Sequence, residues 1–182
     1  MKPKSGNKPK SKHSIRGLGF GISGQSEMLP ETFDMLVGGT LLWKGKAQDL
    51  MNSAQILWSI NYKKFSEQVL GASFPVAWML AGFALENAFK AIIIPSLEIK
   101  KSGDLPKEIR EHDLVKLAEM AKIAVDSNER AMLAYLTEFV MAYGRYPVHT
   151  NHKKMLQNFS TFSDPAEIFK TIWSIWTKVN RP

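Results

Sequence analysis

From about Lys46 onward, apolar positions recur at spacings of three and four. Leu50, Ala54, Leu57, Trp58, Asn61, Tyr62, Phe65 and Val69 share one mostly apolar face, which predicts a helix ending near Leu70-Gly71. Ser73 and Pro75 open a second predicted helix that runs to about Ile94 and is stopped by Pro95. It reads FPVAWMLAGFALENAFKAIIIP, apolar almost all round, so it is expected to be the most buried element. Its length is close to the roughly 20 residues of a membrane span. Glu86, Asn87 and Lys90 argue for a bundle core instead, because each charge would cost a few kcal/mol in hydrocarbon.

Glu98 to Arg110 is charged and broken by Gly103 and Pro106, which predicts a long connection with at most a short helical turn. Leu114, Leu117, Ala118, Ala121 and Ile123 then form a third helical stripe behind His112-Asp113, where a helix cap is expected. Asp126-Ser-Asn-Glu129 has capping-box spacing and opens a fourth helix through about Tyr143, stopped by Gly144. A polar stretch from Tyr146 to Ser163 follows. A second capping box, Asp164-Pro-Ala-Glu167, opens the last helix, with Ile168, Phe169, Ile172, Trp173, Ile175, Trp176 and Val179 on its stripe. Upstream, Pro30 opens a turn of helix around Phe33 to Leu36, which Gly38-Gly39 breaks. These segments predict an all-α fold: an up-and-down antiparallel bundle of four to five helices forming one domain over residues 28–182.

Composition changes that picture in two places. There is no cysteine, so disulfides, thiolate metal sites and thiol nucleophiles are excluded, and no other residue cluster has metal-ligand spacing; no metal and no cofactor are expected. Nearly all of the net charge of +7 resides in the N-terminal tail. Lys2, Lys4, Lys8, Lys10, Lys12 and Arg16 precede the first acid, Glu27, and removing those six from the 24 Lys and Arg leaves 18 against 17 Asp and Glu. Residues 1–27 therefore read as a disordered basic tail with a Gly-rich linker, either a solubilising terminus or a loose, salt-sensitive contact to phosphates. Gly17 to Gly24 lacks the flanking strand, helix and Lys-Ser/Thr of a phosphate loop and reads as linker. No apolar segment follows the basic start, so the anatomy of a secretory signal is missing and a cytoplasmic location is expected.

Three short patterns occur in order along the chain. Leu85, Glu86, Ala88, Phe89, Lys90 and Ala91 lie in the second helix; His112, Asp113 and Leu114 start the third; Arg145, Tyr146 and Pro147 follow the fourth. Together, over about Lys46 to Pro147, they resemble the HEPN family (higher eukaryotes and prokaryotes nucleotide-binding), in its Arg-Tyr-Pro type. The resemblance implies a helical bundle, usually a homodimer. It also implies one of two roles: a metal-independent endoribonuclease of toxin–antitoxin, abortive-infection or other defence systems, or a silent RNA-binding or regulatory partner, often beside a nucleotidyltransferase. The nuclease branch uses an Arg followed, after four to six residues, by a His. Arg145 and His152 stand six residues apart in that sense, and His149 lies closer.

Cleaving RNA without metal needs a base for the 2′-OH proton and a fixed cation for the charge gathering on phosphorus, which suits His and Arg. Arg145, His152 and His149 are therefore the candidate catalytic residues, with Arg145, Tyr146, Lys153 and Lys154 as RNA contacts. Here Tyr146-Pro147 follows the Arg and Gly144 precedes it, so a shared helical face for Arg145 and His152 does not follow from spacing. The competing reading has Arg145 satisfying the last carbonyls of the fourth helix and both His in a solvated loop. Glu86 and Lys90 are supporting candidates: Glu86 either orients Arg145 across the bundle or pairs locally with Lys90. His112 reads either as catalytic or as part of the cap. A second functional class stays open, a non-catalytic protein-interaction module whose interface is the apolar stripes of the first and last helices.

Overall fold

The computed structural model describes residues 30–67, 74–99, 104–143 and 164–181. Among these residues there is no strand, and six α-helices form the all-α bundle: α1 (Pro30–Gly38), α2 (Thr40–Ser66), α3 (Pro75–Ile93), α4 (Leu114–Met120), α5 (Ser127–Glu138) and α6 (Pro165–Val179). One turn of 3-10 helix, Ile94–Ser96, closes α3 at Pro95, and another, Lys107–Arg110, interrupts the charged connection. After Glu138, α5 widens into a π-helical turn over Phe139–Tyr143.

α3 is the central element. Ala81, Ala84, Leu85, Ala88 and Phe89 are buried, and they meet Met51 and Ala54 of α2, Leu117 of α4, Leu133 and Leu136 of α5, and Ile172 and Ile175 of α6 in one core. The Pro75–Ser96 stretch is long and apolar enough to cross a membrane, yet 67% of its most apolar window is buried against the other helices. The inward faces explain this: buried alanines and Gly82 let neighbouring helices approach closely, and Leu85 and Phe89 fill the remaining space.

Two boundaries differ from the pattern in the sequence. α1 is a full helix of nine residues, and α2 begins at Thr40, so Gly39 alone separates them and Gly45 sits inside α2. The reason is tertiary support. Trp43 Nε1 donates to Val37 O at 2.9 Å, locking the start of α2 onto α1, and Ile99 packs against Gly38. These contacts outweigh the weak helix propensity of glycine.

Caps set the later boundaries. Asp113 accepts from the backbone N–H of Val115 and Lys116 at the start of α4. Asp126 and Glu129 form the full capping box of α5. At α6, Asp164 accepts from Ala166 N with Pro165 in the first turn. α4 ends in a Schellman turn, in which Ile123 N donates to Ala118 O and Lys122 N to Glu119 O, with Lys122 at φ 56° in the place usually given to glycine.

Candidate functional site

Glu86 projects from the buried middle of α3, where a carboxylate needs partners to be tolerated. Its Oε1 accepts from two sides. Lys90 Nζ, one helical turn along, lies 2.6 Å away, and His112 Nδ1, just before the α4 cap, lies 3.0 Å away. The two α3 side chains are closed off from solvent, 8% exposed for Glu86 and 4% for Lys90, while the His112 side chain is 45% exposed. Glu86 Oε2 is buried and has no hydrogen-bond partner among the described residues.

The arrangement has a chemical consequence. A neutral imidazole held through Nδ1–H on a carboxylate keeps its Nε2 lone pair free, so the buried carboxylate fixes both the tautomer and the ring orientation. Lys90 in turn balances the Glu86 charge, which makes the buried pair neutral on its own. The result is a half-exposed histidine with one nitrogen anchored inside the protein and the other available as a base or, protonated, as a cation.

The backbone leading into α4 is ordered by the same segment. Glu111 Oε1 accepts from both His112 N and Asp113 N at 3.0 Å. Those backbone hydrogen bonds, that from Asp113 first, hold the Glu111 carboxyl below the usual carboxylate range, with the Lys116 charge adding to them. The Glu111 charge, and after it that of Asp113, raises the exposed Lys116 above its ordinary value. Leu114 N donates to Thr137 Oγ1 of α5 at 3.1 Å, so the His112 corner is tied to α5 as well as to α3. Asp113 also lines an open cleft of about 560 Å³ with Val115, Arg130, Thr137 and Glu138.

Of the residues expected from sequence, Glu86 and Lys90 are brought together, and their partner is His112. The alternative in which Glu86 orients Arg145 has no bearing here, because Arg145, Tyr146, His149, His152, Lys153 and Lys154 lie outside the described residues. His112 does not itself cap α4; Asp113 does that, leaving the imidazole for Glu86. The signal for this contact was in the sequence: a lone carboxylate on an otherwise apolar helix requires a polar partner, and the His-Asp pair at a helix start could offer one residue to the cap and one to the core.

A second polar cluster was not anticipated. Glu129, 3% exposed, accepts from Ser174 Oγ (2.9 Å) and from Lys178 Nζ, joining α5 to α6. Burial works to raise the Glu129 pKa, but the hydrogen bonds from Lys178, Asp126 N and Ser174, with the Lys178 charge, outweigh it and hold the carboxyl below its ordinary value. Its cause is structural: Glu129 closes the α5 capping box and clamps the last helix. Among the described residues no group of three or more His, Cys, Asp or Glu is placed to hold a metal ion.

Comparison with family models, with curated proteins and with solved structures finds no match to this chain.

Proposed function

We propose that the chain is a HEPN-like protein of the cytoplasm that binds or cleaves RNA, in a toxin–antitoxin, abortive-infection or other defence setting. The observation that carries this reading is the meeting of two of its three sequence patterns in one site. Glu86 and Lys90 from the α3 pattern and His112 from the α4 pattern, 26 residues beyond Glu86, share a single carboxylate oxygen. A buried ion pair contributes little net stability compared with well-packed apolar side chains, so its economical explanation is the positioning of His112.

Within this reading, Arg145, His152 and His149 carry out the cleavage, Tyr146, Lys153 and Lys154 hold the strand, and Glu86 and Lys90 support the site through His112. A histidine takes the 2′-OH proton, the 2′-oxygen forms a bond to phosphorus, and the bond from phosphorus to the 5′-oxygen breaks as that oxygen gains a proton. The products are a 2′,3′-cyclic phosphate and a 5′-hydroxyl, and the Arg145 guanidinium stabilises the charge on the phosphoryl oxygens. A homodimer would bring two such sets together.

A different reading is favoured by exposed apolar side chains on the first helices. Leu41 is 81% exposed, Met35 68% and Ile56 60%. Such residues suit a non-catalytic interaction module, a regulatory or antitoxin partner of a protein such as a nucleotidyltransferase.

Incubating the full chain with mixed RNA in the presence of a chelator separates these readings. Arg145→Ala, His152→Ala and His112→Asn are the variants to compare with wild type. Cleavage that disappears in the first two and weakens in the third supports the nuclease. RNA retention without cleavage supports the silent binder. Neither activity, with a protein that co-purifies in stoichiometric amount, removes the RNA reading and favours the interaction module.

A further inference from the structure

Four aromatic rings form a continuous ladder between α2 and α6. Tyr62 stacks on Trp58 with ring centroids 4.9 Å apart and planes 18° from parallel. Trp58 stacks on Phe169 across the junction of the two helices at 4.4 Å and 18°, and Phe169 on Trp173 at 6.5 Å and 14°. The inner aromatic cluster mixes geometries: Phe74 stacks on Trp78 at 5.7 Å and 15°, while Trp78, Tyr135 and Phe139 meet edge to face at 60° to 79°. Offset-parallel and edge-to-face contacts are both favoured by ring quadrupoles, and a run of parallel rings presents a face on which a planar base can stack.

The ladder also stands apart from the hydrophobic core. None of its four rings belongs to the buried cluster around α3 or to the side chains packed against it. Instead the rings line an open groove of about 390 Å³, together with Gln55, Ala166 and Lys170. Trp173, at the end of the ladder, is 39% exposed. Among the described residues the lining holds one cation, Lys170, and no acid, and Lys63 is exposed directly after Tyr62. Trp58 Nε1 is shielded from solvent and has no acceptor among the described residues.

We propose that this groove is a stacking platform for unpaired bases of single-stranded RNA. Trp173 continues the ladder onto a base, Lys170 meets the phosphate of the same nucleotide, and Gln55 supplies an amide for a base edge. The charge balance favours this occupant: a cation beside parallel rings complements a strand of alternating phosphates and planar bases, whereas an apolar peptide would leave Lys170 unused. The platform reads no sequence, because every base presents a π-face. The proposal rests on the reading that the chain acts on RNA, and it adds that the strand is held on α2 and α6.

The test uses the full chain and fluorescently labelled ten-nucleotide RNAs, one oligo(A) and one abasic, followed by anisotropy. Wild type binds oligo(A) more tightly than the abasic strand, and Trp173→Ala weakens oligo(A) binding about tenfold without changing abasic binding, the loss expected for one stacked base. Trp173→Phe retains most of the affinity, and Lys170→Ala lowers the salt dependence by about one counterion. Oligo(A) binding that Trp173→Ala leaves untouched overturns the platform but leaves RNA binding standing. Absence of any RNA binding by wild type overturns the RNA reading itself. A Trp173→Ala variant that changes self-association or loses a protein partner, with oligonucleotide affinity unaltered, assigns the groove to protein docking and overturns the proposal.

Discussion

Glu86 Oε1 and His112 Nδ1 stand 3.0 Å apart, linking the central helix to the residue just before the α4 cap. Because the same oxygen also holds Lys90, removing the carboxylate strands an ammonium whose side chain is only 4% exposed. Breaking one partner of such a pair costs about 3–5 kcal/mol. Glu86→Ala should therefore lower stability to urea by an amount in that range, while Glu86→Leu combined with Lys90→Leu should cost much less than the single change. His112→Asn, at the exposed end, should leave stability within about 1 kcal/mol of wild type. A Glu86→Ala variant as stable as wild type would remove the argument that this cluster is a fixed unit.

Close helix approach at Gly82 leads to a second prediction. A β-carbon built at Gly82 would lie 2.7 Å from Val140 Cγ2 and 3.5 Å from Leu136 O. Alanine normally improves a helix by about 1 kcal/mol over glycine. Here the clash with the π-helical turn reverses the sign, and Gly82→Ala should lose about 1–3 kcal/mol through overpacking. Val140→Ala vacates the space, so the double variant should recover part of the loss in a thermodynamic cycle. Equal losses with and without Val140 would show that the two residues do not touch in solution.

Much of the fold was legible in the apolar periodicity, and particular residues show where the signal stopped. The α3 and α6 stripes and the caps at Asp113, Asp126 and Asp164 are local, and local chemistry is visible in a sequence. The start of α2 was misplaced because Gly39 and Gly45 are breakers by propensity, and only the Trp43 to Val37 bond, a tertiary fact, overrides them. At the site, Glu86 and Lys90 were readable as an i,i+4 pair. That His112 joins the pair was not, since it depends on how α4 is set against α3. The ladder was hidden for a related reason: Trp58 and Phe169 each fall on a helical stripe that reads as core, and nothing in either stripe says that the two meet beside the core.

Glu129 gives a prediction in pH. Its carboxyl is held below the ordinary value in the folded chain, chiefly by bonds from Lys178, Asp126 N and Ser174 that overcome the opposing effect of burial. A depressed folded pKa means that the stabilisation is complete above the unfolded value of about 4.3 and drains away as pH falls through the folded one. Glu129→Gln should therefore cost about 1–3 kcal/mol near pH 7, since the charge-assisted bonds weaken. The gap between variant and wild type should narrow as the pH is lowered through the acid range. Urea midpoints measured for both proteins at pH 7, 5 and 3.5 check this, and a gap that widens toward acid would reverse the assigned sign.

Asp34 presents the opposite case, a buried carboxylate with no partner among the described residues. It faces inward on α1 with Val37, is 9% exposed, and neither carboxylate oxygen has a hydrogen-bond partner among the described residues. Burying such a group without partners costs free energy that an apolar side chain of the same branching would not incur. Leucine replaces the two oxygens with methyl groups at nearly the same positions. Asp34→Leu should accordingly raise stability by about 1–2 kcal/mol, a few degrees in Tm for a domain of this size. Hydrogen exchange supplies the local check, because α1 amides should be better protected in the variant while those of α3 gain no more than the global change. If Asp34→Leu instead lowers Tm, the carboxylate is engaged in solution, and a cation or a backbone donor must reach it there.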